Sequence, residues 1–165
     1  MRLPVNCRRA SEQVMRAITR LRPAAVLGLG QAGGRPVLSL ERVAINLEDT
    51  RAQREGEGGM QSRAVIAGGP DAYFARLPIA DILVALKRRG VPAALSLSAG
   101  VYVCNAVMYT TLHALRRRRA PAGFIHLPYE ARQAARHRAV PSMSLATMVT
   151  GIEIALEIIA RTVRG

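Results

Sequence analysis

Three side chains in this sequence could together carry out nucleophilic chemistry: Cys104, His126 and Glu41. In the run Ala94 to Asn105 an apolar, strand-like stretch closes on Ser98-Ala99-Gly100, and the cysteine follows four residues after the glycine. From Asn105 onward Val107, Met108, Thr111, Leu112 and Leu115 recur at spacings of three and four, the pattern of a helix. Cys104 therefore stands where a strand hands over to a helix. The unpaired amides and partial positive charge of a helix start favour the thiolate, which is the nucleophilic form. A thiolate nucleophile needs a base to take and return its proton, and histidine titrates in the useful range. A carboxylate on the other ring nitrogen fixes the tautomer and stabilises the imidazolium. Each residue also has a plainer reading. Cys104 can be a small buried apolar side chain, His126 a packed strand histidine bonded to backbone, and Glu41 the partner of a nearby arginine such as Arg42. His113, mid-helix beside an arginine cluster, and His137, between Arg136 and Arg138, are weaker candidates for the base. Composition alone leaves the plainer readings ahead.

The elements that must position these residues can be read in order. A helix is expected from Asn6 to Arg22, with Val14, Ile18 and Leu21 as its inner stripe and Arg22-Pro23 ending it. Ala24 to Leu29 reads as a short strand buried on both faces. Gly28 to Gly34 formally matches the dinucleotide-binding glycine pattern, which requires a helix to begin directly after it. Pro36 to Leu38 and Arg42 to Leu47 are instead extended in character, with a break around Ser39-Leu40. Without a helix there is no dipole to hold a pyrophosphate, so the cofactor reading fails. Glu48 to Gly59 reads as an exposed loop, Arg63 to Ala67 as a further strand and Gly68 to Asp71 as a turn. A helix over Ile79 to Arg89 turns Ile82, Leu83 and Leu86 inward and stops at Gly90. Gly123 to Pro128 is a short strand, and Tyr129 to Pro141 a basic loop with a helical turn. Leu145 to Val163 is a last amphipathic helix carrying Met148, Val149, Ile152, Ala155, Ile158 and Ile159. Strands alternating with helices predict one domain over residues 1–165, an open, twisted α/β sheet covered by helices on both faces.

Composition bounds the rest. With 165 residues, half of them apolar and about a fifth charged, the chain is long enough for one real core. It has no run of about eighteen apolar residues to cross a membrane, and its start lacks the apolar segment of a secretory signal. Its two cysteines, Cys7 and Cys104, make no disulfide framework. These features predict a cytoplasmic protein with reduced thiols. A net charge of +13 would suit a nucleic-acid binder. However, Lys87 is the sole lysine, and the Arg116 to Arg119 run closes a helix with no aromatic residues interleaved to stack bases. Nucleic acid is therefore not the expected partner, and no metal site is expected.

Four blocks in order then carry a resemblance. Gly30-Gln31-Ala32-Gly33-Gly34-Arg35 with Leu38 to Asn46 resembles the glutamate signature of type I pyroglutamyl peptidases, also called pyrrolidone-carboxylate peptidases. Ser96 to Asn105 is similar to that family's cysteine signature. Gly123 to Pro128 resembles its histidine segment, and Pro141 to Leu145 its lead into the last helix; Gly69 to Phe74 and Leu77-Pro78 also fit. The resemblance covers the chain from Leu3 onward. It implies a three-layer αβα, phosphorylase/hydrolase-like fold and a cysteine exopeptidase, free of cofactors, that removes N-terminal pyroglutamate (5-oxoproline) from peptides through a thioacyl intermediate. By it Cys104 is the nucleophile, His126 the general base and acid, and Glu41 the orienting carboxylate. Gln31, Arg51, Tyr102 and Val103 match positions at the substrate pocket, and homo-oligomers are common in the family. Relative to the family pattern the chain begins after a strand and a glycine- and phenylalanine-rich loop that wall the pocket. The competing expectation is accordingly a shortened, weakly active or inactive relative serving as a binding or assembly subunit.

Overall fold

The computed structural model describes residues 1–49 and 62–164. In chain order the elements are α1 (Cys7–Leu21), β1 (Val26–Gln31), β2 (Leu38–Glu41), β3 (Val43–Ile45), β4 (Glu48–Asp49), β5 (Ser62–Arg63), β6 (Ala72–Phe74), α2 (Ile79–Arg88), β7 (Ala93–Ser96), α3 (Val103–Ala114), β8 (Ala122–Leu127), α4 (Ala131–Ala134) and α5 (Leu145–Arg164). Four strands form the central sheet in the order β1-β8-β2-β7. The α/β layering follows the expectation, and the sheet is mixed. β1 runs parallel to β8 and β2 parallel to β7, while β2 and β8 are antiparallel.

The mixed pairing follows from a missing helix. After β1 the chain turns through residues 32–37 straight into β2. A connection that short cannot cross over to a parallel position. The two strands lie on either side of β8 and run in opposite directions.

Side-chain alternation divides β2 between two faces. Leu38 and Leu40 point one way, where α5 crosses so closely that a Cβ on Gly151 would collide with the Leu38 side chain. Ser39 and Glu41 point the other way, toward α3. All four residues are buried, as a strand covered on both faces requires. α1 packs on α3, and α2 packs on α5, so helices lie on both sides of the sheet. One continuous apolar cluster joins the layers, from Val14 and Ile18 through Leu38, Leu40 and Ile125 to Ile159.

Several local expectations are corrected. α1 is capped by Asn6, whose side chain accepts from the Arg9 amide at 3.0 Å. Its buried stripe is Cys7, Ala10, Val14 and Ile18, and Leu21 is 65% exposed. β1 is not buried on both faces: Leu29 and Gln31, on one face, are exposed, and among the described residues the strand pairs with β8 alone. The break expected at Ser39-Leu40 falls at Arg42. There the chain leaves the central sheet, with the Arg42 amide bonded to Ser96 O at 2.7 Å, and joins a two-stranded ladder of β3 with β6. Glu48 and Asp49 are strand rather than exposed loop. They pair with β5, and Glu48 is buried in an ion pair with Arg63. Residues 50–59 of that expected loop lie outside the described residues. The strand expected at Arg63 to Ala67 shrinks to Ser62–Arg63 before a turn closed by Gly69 N to Ile66 O at 3.1 Å. α5 buries Met148, Gly151, Ile154, Ala155 and Ile159, while Val149 is exposed. A hydrophobic stripe read from sequence misses Gly151, whose lack of a side chain is what lets α5 seat on Leu38.

Candidate active site

Cys104 is the second residue of α3, which starts two residues earlier than its periodicity suggests. Tyr102 is the N-cap, with extended backbone and no side-chain cap bond. The first intrahelical donor is Ala106, whose amide reaches Tyr102 O at 3.0 Å. The amides of Val103 and Cys104 thus precede the hydrogen-bonded turns and lie at the positive end of the helix dipole.

The loop that delivers the cysteine is held by its own serines. Ser96 Oγ donates to Ser98 O at 3.3 Å, and Gly100 N donates to Ser98 Oγ at 3.1 Å. Gly100 itself has φ +80°, a left-handed conformation that costs glycine little and other residues more. On the sheet side, a Cβ built on Gly30 would lie 3.1 Å from Cys104 Sγ and 2.8 Å from the Phe124 ring. Glycine at this position lets β1, the thiol and Phe124 share the space.

His126 and Glu41 meet across the antiparallel pair. The register sets Ser39 opposite His126 and Glu41 opposite Phe124, so Glu41 and His126 are diagonal neighbours on one face. The His126 Nδ1 to Glu41 Oε1 distance is 2.7 Å, and both side chains are buried. With Nδ1 turned to the carboxylate, Nε2 is left for Cys104, which lies close enough to the ring to raise its pKa. Phe124 lies tilted beside the imidazole, ring centres 4.9 Å apart. Carboxylate and imidazole are thus hydrogen-bonded, and the cysteine lies on the far side of the ring. Arg35, not Arg42, is the arginine on Glu41: its Nη1 donates to the same Oε1 at 2.6 Å. Arg42 instead bonds Ala75 O and lies over the Phe74 ring.

The electrostatics follow from this packing. Burial opposes the protonated His126 ring, but Cys104 beside it and the hydrogen bond to Glu41, reinforced by the charges of both, outweigh it and raise the pKa to about 9. Burial likewise opposes the charged Glu41 carboxylate. Hydrogen bonds from His126 and Arg35, with the Ser96 hydroxyl beside them, outweigh it and hold the group below its ordinary value. The site thus favours a negative carboxylate beneath an imidazolium at neutral pH.

The other residues singled out in the sequence are placed unequally. Tyr102 and Val103 directly precede Cys104 and are half-buried. Gln31 ends β1 one residue past Gly30, so its side chain faces the other side of the sheet. There its Nε2 donates to Gln133 Oε1 at 2.5 Å. It borders an open apolar cavity of about 560 Å³ between β1 and α5, walled by Leu29, Leu127, Leu145, Met148 and Ile152. Arg51 lies outside the described residues. His113 bonds Tyr73 Oη at 2.9 Å, away from these groups. Cys7 is buried in α1 and takes part in no disulfide. Among the described residues no cluster of three or more His, Cys, Asp or Glu side chains could hold a metal ion. No described helix is long and apolar enough to cross a membrane.

Sequence reasoning missed Arg35, Ser96 and Asn105. Arg35 and Ser96 stood inside the quoted signatures with no reason to prefer them over their neighbours. Asn105 closes the cysteine signature and opens the helical periodicity, and neither pattern assigns its side chain a task. Its buried side chain accepts from Ile45 N at 2.9 Å and donates to Ile45 O and Leu47 O at 2.9 and 2.8 Å. It thereby ties β3 and the lead into β4 to the first turn of α3. Asn105→Ala leaves three backbone groups without partners and costs about 3 kcal/mol of stability, measurable by urea unfolding.

Comparisons with known proteins agree with this geometry. The sequence profile described as "Pyroglutamyl peptidase" matches residues 1–162. The chain belongs to the pyroglutamyl peptidase family. It is 43% identical over 157 residues to the pyrrolidone-carboxylate peptidase of Erwinia tasmaniensis, covering 95% of this chain and 74% of that one. It is 41% identical over 161 residues to the corresponding protein of Coprothermobacter proteolyticus, covering 96% and 78%. Among solved structures, pyrrolidone carboxyl peptidase from Pyrococcus furiosus superposes with a TM-score of 0.88 at 32% identity, covering 98% of this chain and 80% of that one. Pyroglutamyl peptidase I from Bacillus amyloliquefaciens gives 0.85 at 34%, covering 95% and 76%. Membership of the pyroglutamyl peptidase family makes the chain a peptidase by descent, and its mixed α/β sheet is the fold of these relatives.

Proposed function

We propose that this chain is a cysteine exopeptidase that removes pyroglutamate from the N-termini of peptides. The observation that carries this reading is the line Glu41 to His126 to Cys104, buried at one end and reaching the first turn of α3 at the other. Cys104 Sγ attacks the pyroglutamyl carbonyl while His126 Nε2 holds the thiol proton. The protonated ring then gives that proton to the leaving amine as the C–N bond breaks. Water, deprotonated by His126, hydrolyses the thioester and releases 5-oxoproline and the free thiol. Amides of Val103 and Cys104 are placed to receive the oxyanion. No cofactor enters these steps.

The substrate ring is small and uncharged, with one N–H and one carbonyl to satisfy. Tyr102 and Val103 border the thiol and supply apolar wall. Gln31 contributes through its backbone. Val26 N bonds to Pro121 O, just before β8, and Ala32 N to Leu127 O in β8, so by alternation the N–H and C=O of Gln31 point to the opposite edge of β1. Arg51 is assigned to the substrate side by family resemblance alone.

The test is release of a fluorescent amine from a pyroglutamyl amide by the reduced, folded chain beside Cys104→Ala. Turnover in the wild type and at least a 1,000-fold loss in the variant, of the order expected when a covalent nucleophile is removed, support the reading. Absence of turnover in both overturns it and leaves a non-catalytic binding role.

A further inference from the structure

Arg35 stands in the turn between β1 and β2, outside the line of reacting groups, yet it touches the end of β2, the end of β7 and the loop that follows. Its Nη1 donates to Glu41 Oε1 at 2.6 Å and lies 3.3 Å from Ser96 Oγ. Its Nη2 donates to Ser98 O at 3.1 Å. Glu41 closes β2, Ser96 closes β7, and Ser98 lies in the loop that runs on to Cys104. The guanidinium therefore bridges the end of the strand that holds His126 in place and the loop that delivers the thiol.

Two features make this more than a surface ion pair. Glu41 is wholly buried, and its Oε1 accepts from both His126 Nδ1 and Arg35, so the two donors define the plane and position of the carboxylate together. The arginine also uses separate nitrogens for separate targets. A rigid, planar fork can fix a carboxylate and a backbone carbonyl at once, where the single ammonium of lysine cannot hold the same geometry. Around Glu41 the charged or titratable groups in contact are His126 from β8 and Arg35 from the β1–β2 turn, with the Ser96 hydroxyl from β7 beside them.

We propose that Arg35 is a positioning residue, which locks the His126-orienting carboxylate and the Cys104 loop into one register. It acts through those groups and contacts no substrate. The inference rests on the reading of Cys104 and His126 as the reacting pair.

The test compares Arg35→Met and Arg35→Lys with the wild type. One readout is kcat and KM on a pyroglutamyl amide across pH. The other is the rate at which iodoacetamide alkylates Cys104 at pH 7, quantified at that residue by peptide mass spectrometry so that Cys7 does not contribute. Arg35→Met should lower kcat about 100-fold with KM within about twofold, the size of loss expected when reacting groups are displaced without loss of binding. The acid limb of its pH profile should move upward, because the buried carboxylate has lost its cation. Arg35→Lys keeps the charge and loses the fork, and should recover part of the loss, to about tenfold below wild type. Alkylation of Cys104 should slow in the same order.

A folded Arg35→Met with kcat within threefold and an unchanged pH limb overturns the proposal, as does a loss confined to KM. If Arg35→Met does not fold, Arg35→Lys decides: wild-type kcat and wild-type alkylation overturn it. If the wild type shows no peptidase activity, the functional reading fails by itself. Cys104 alkylation then still judges the positioning role, supported if Arg35→Met slows it and overturned if it does not.

Discussion

Glu41→Gln should lower kcat about 1,000-fold while leaving a folded protein. The amide oxygen can take the place of Oε1 and still accept from His126 Nδ1 and Arg35, so the ring keeps its tautomer. The amide nitrogen then falls where Oε2 lies, an atom that is buried without a hydrogen-bond partner. What disappears is the negative charge beneath the ring. The imidazolium formed when His126 takes the thiol proton is no longer stabilised, and the His126 pKa falls from about 9 toward its ordinary value. Glu41→Ala should be worse in a different way. It leaves the Arg35 guanidinium and the His126 N–H facing an empty buried space, and breaking such a buried pair costs about 3–5 kcal/mol of stability. Thermal melts and steady-state kinetics on both variants separate the two effects. A Glu41→Gln enzyme within tenfold of wild type would show that the carboxylate is structural only.

The residue types of this site were legible in the sequence, and their meeting was not. Cys104 could be placed at a strand-to-helix junction because hydrophobic periodicity changes from two to three-and-four around it. No local pattern says that β2 and β8, with Glu41 and His126 separated by 85 positions, lie side by side and antiparallel. One clue existed. The extended character of Pro36 to Leu38 denied a crossover helix after β1, and a strand reached by so short a turn must run back. Arg35 was harder to find. An arginine six residues before a glutamate is unremarkable among 24 basic residues, and it becomes informative only when the fold brings Ser96 and Ser98 to the same guanidinium. Gln31 shows the opposite limit. Its place in a signature pointed to the substrate, yet strand alternation turns its side chain to Gln133 and leaves only its backbone toward the free edge of β1. Glu48 failed as a loop residue because composition hides pairing: a glutamate in a polar, glycine-rich stretch reads as solvated until Arg63 is folded against it.

His126→Gln should remove turnover about 10,000-fold, and it should also remove a pH-dependent share of the stability. The sign follows from the direction of the shift. His126 has a folded pKa of about 9, above its ordinary 6.5. The stabilisation from the protonated ring between Cys104 and Glu41 is therefore fully present below pH 6.5 and is lost as pH rises through 9. Glu41 runs the other way. Its pKa is lowered, so its contribution is present above the ordinary 4.5 and fades as pH falls through its depressed folded value. The difference in Tm between wild type and His126→Gln should hence be largest near pH 6 and shrink between pH 7 and 10. Titrating groups away from the site are common to both proteins and cancel in that difference. In the wild type, kcat should fall above pH 9 for the same reason, since an unprotonated ring cannot hand a proton to the leaving amine. Tm curves that stay parallel from pH 6 to pH 10 would mean that His126 gains nothing from its two partners. The line Glu41 to His126 to Cys104 would then be a contact in the fold without the electrostatic coupling that the chemistry needs.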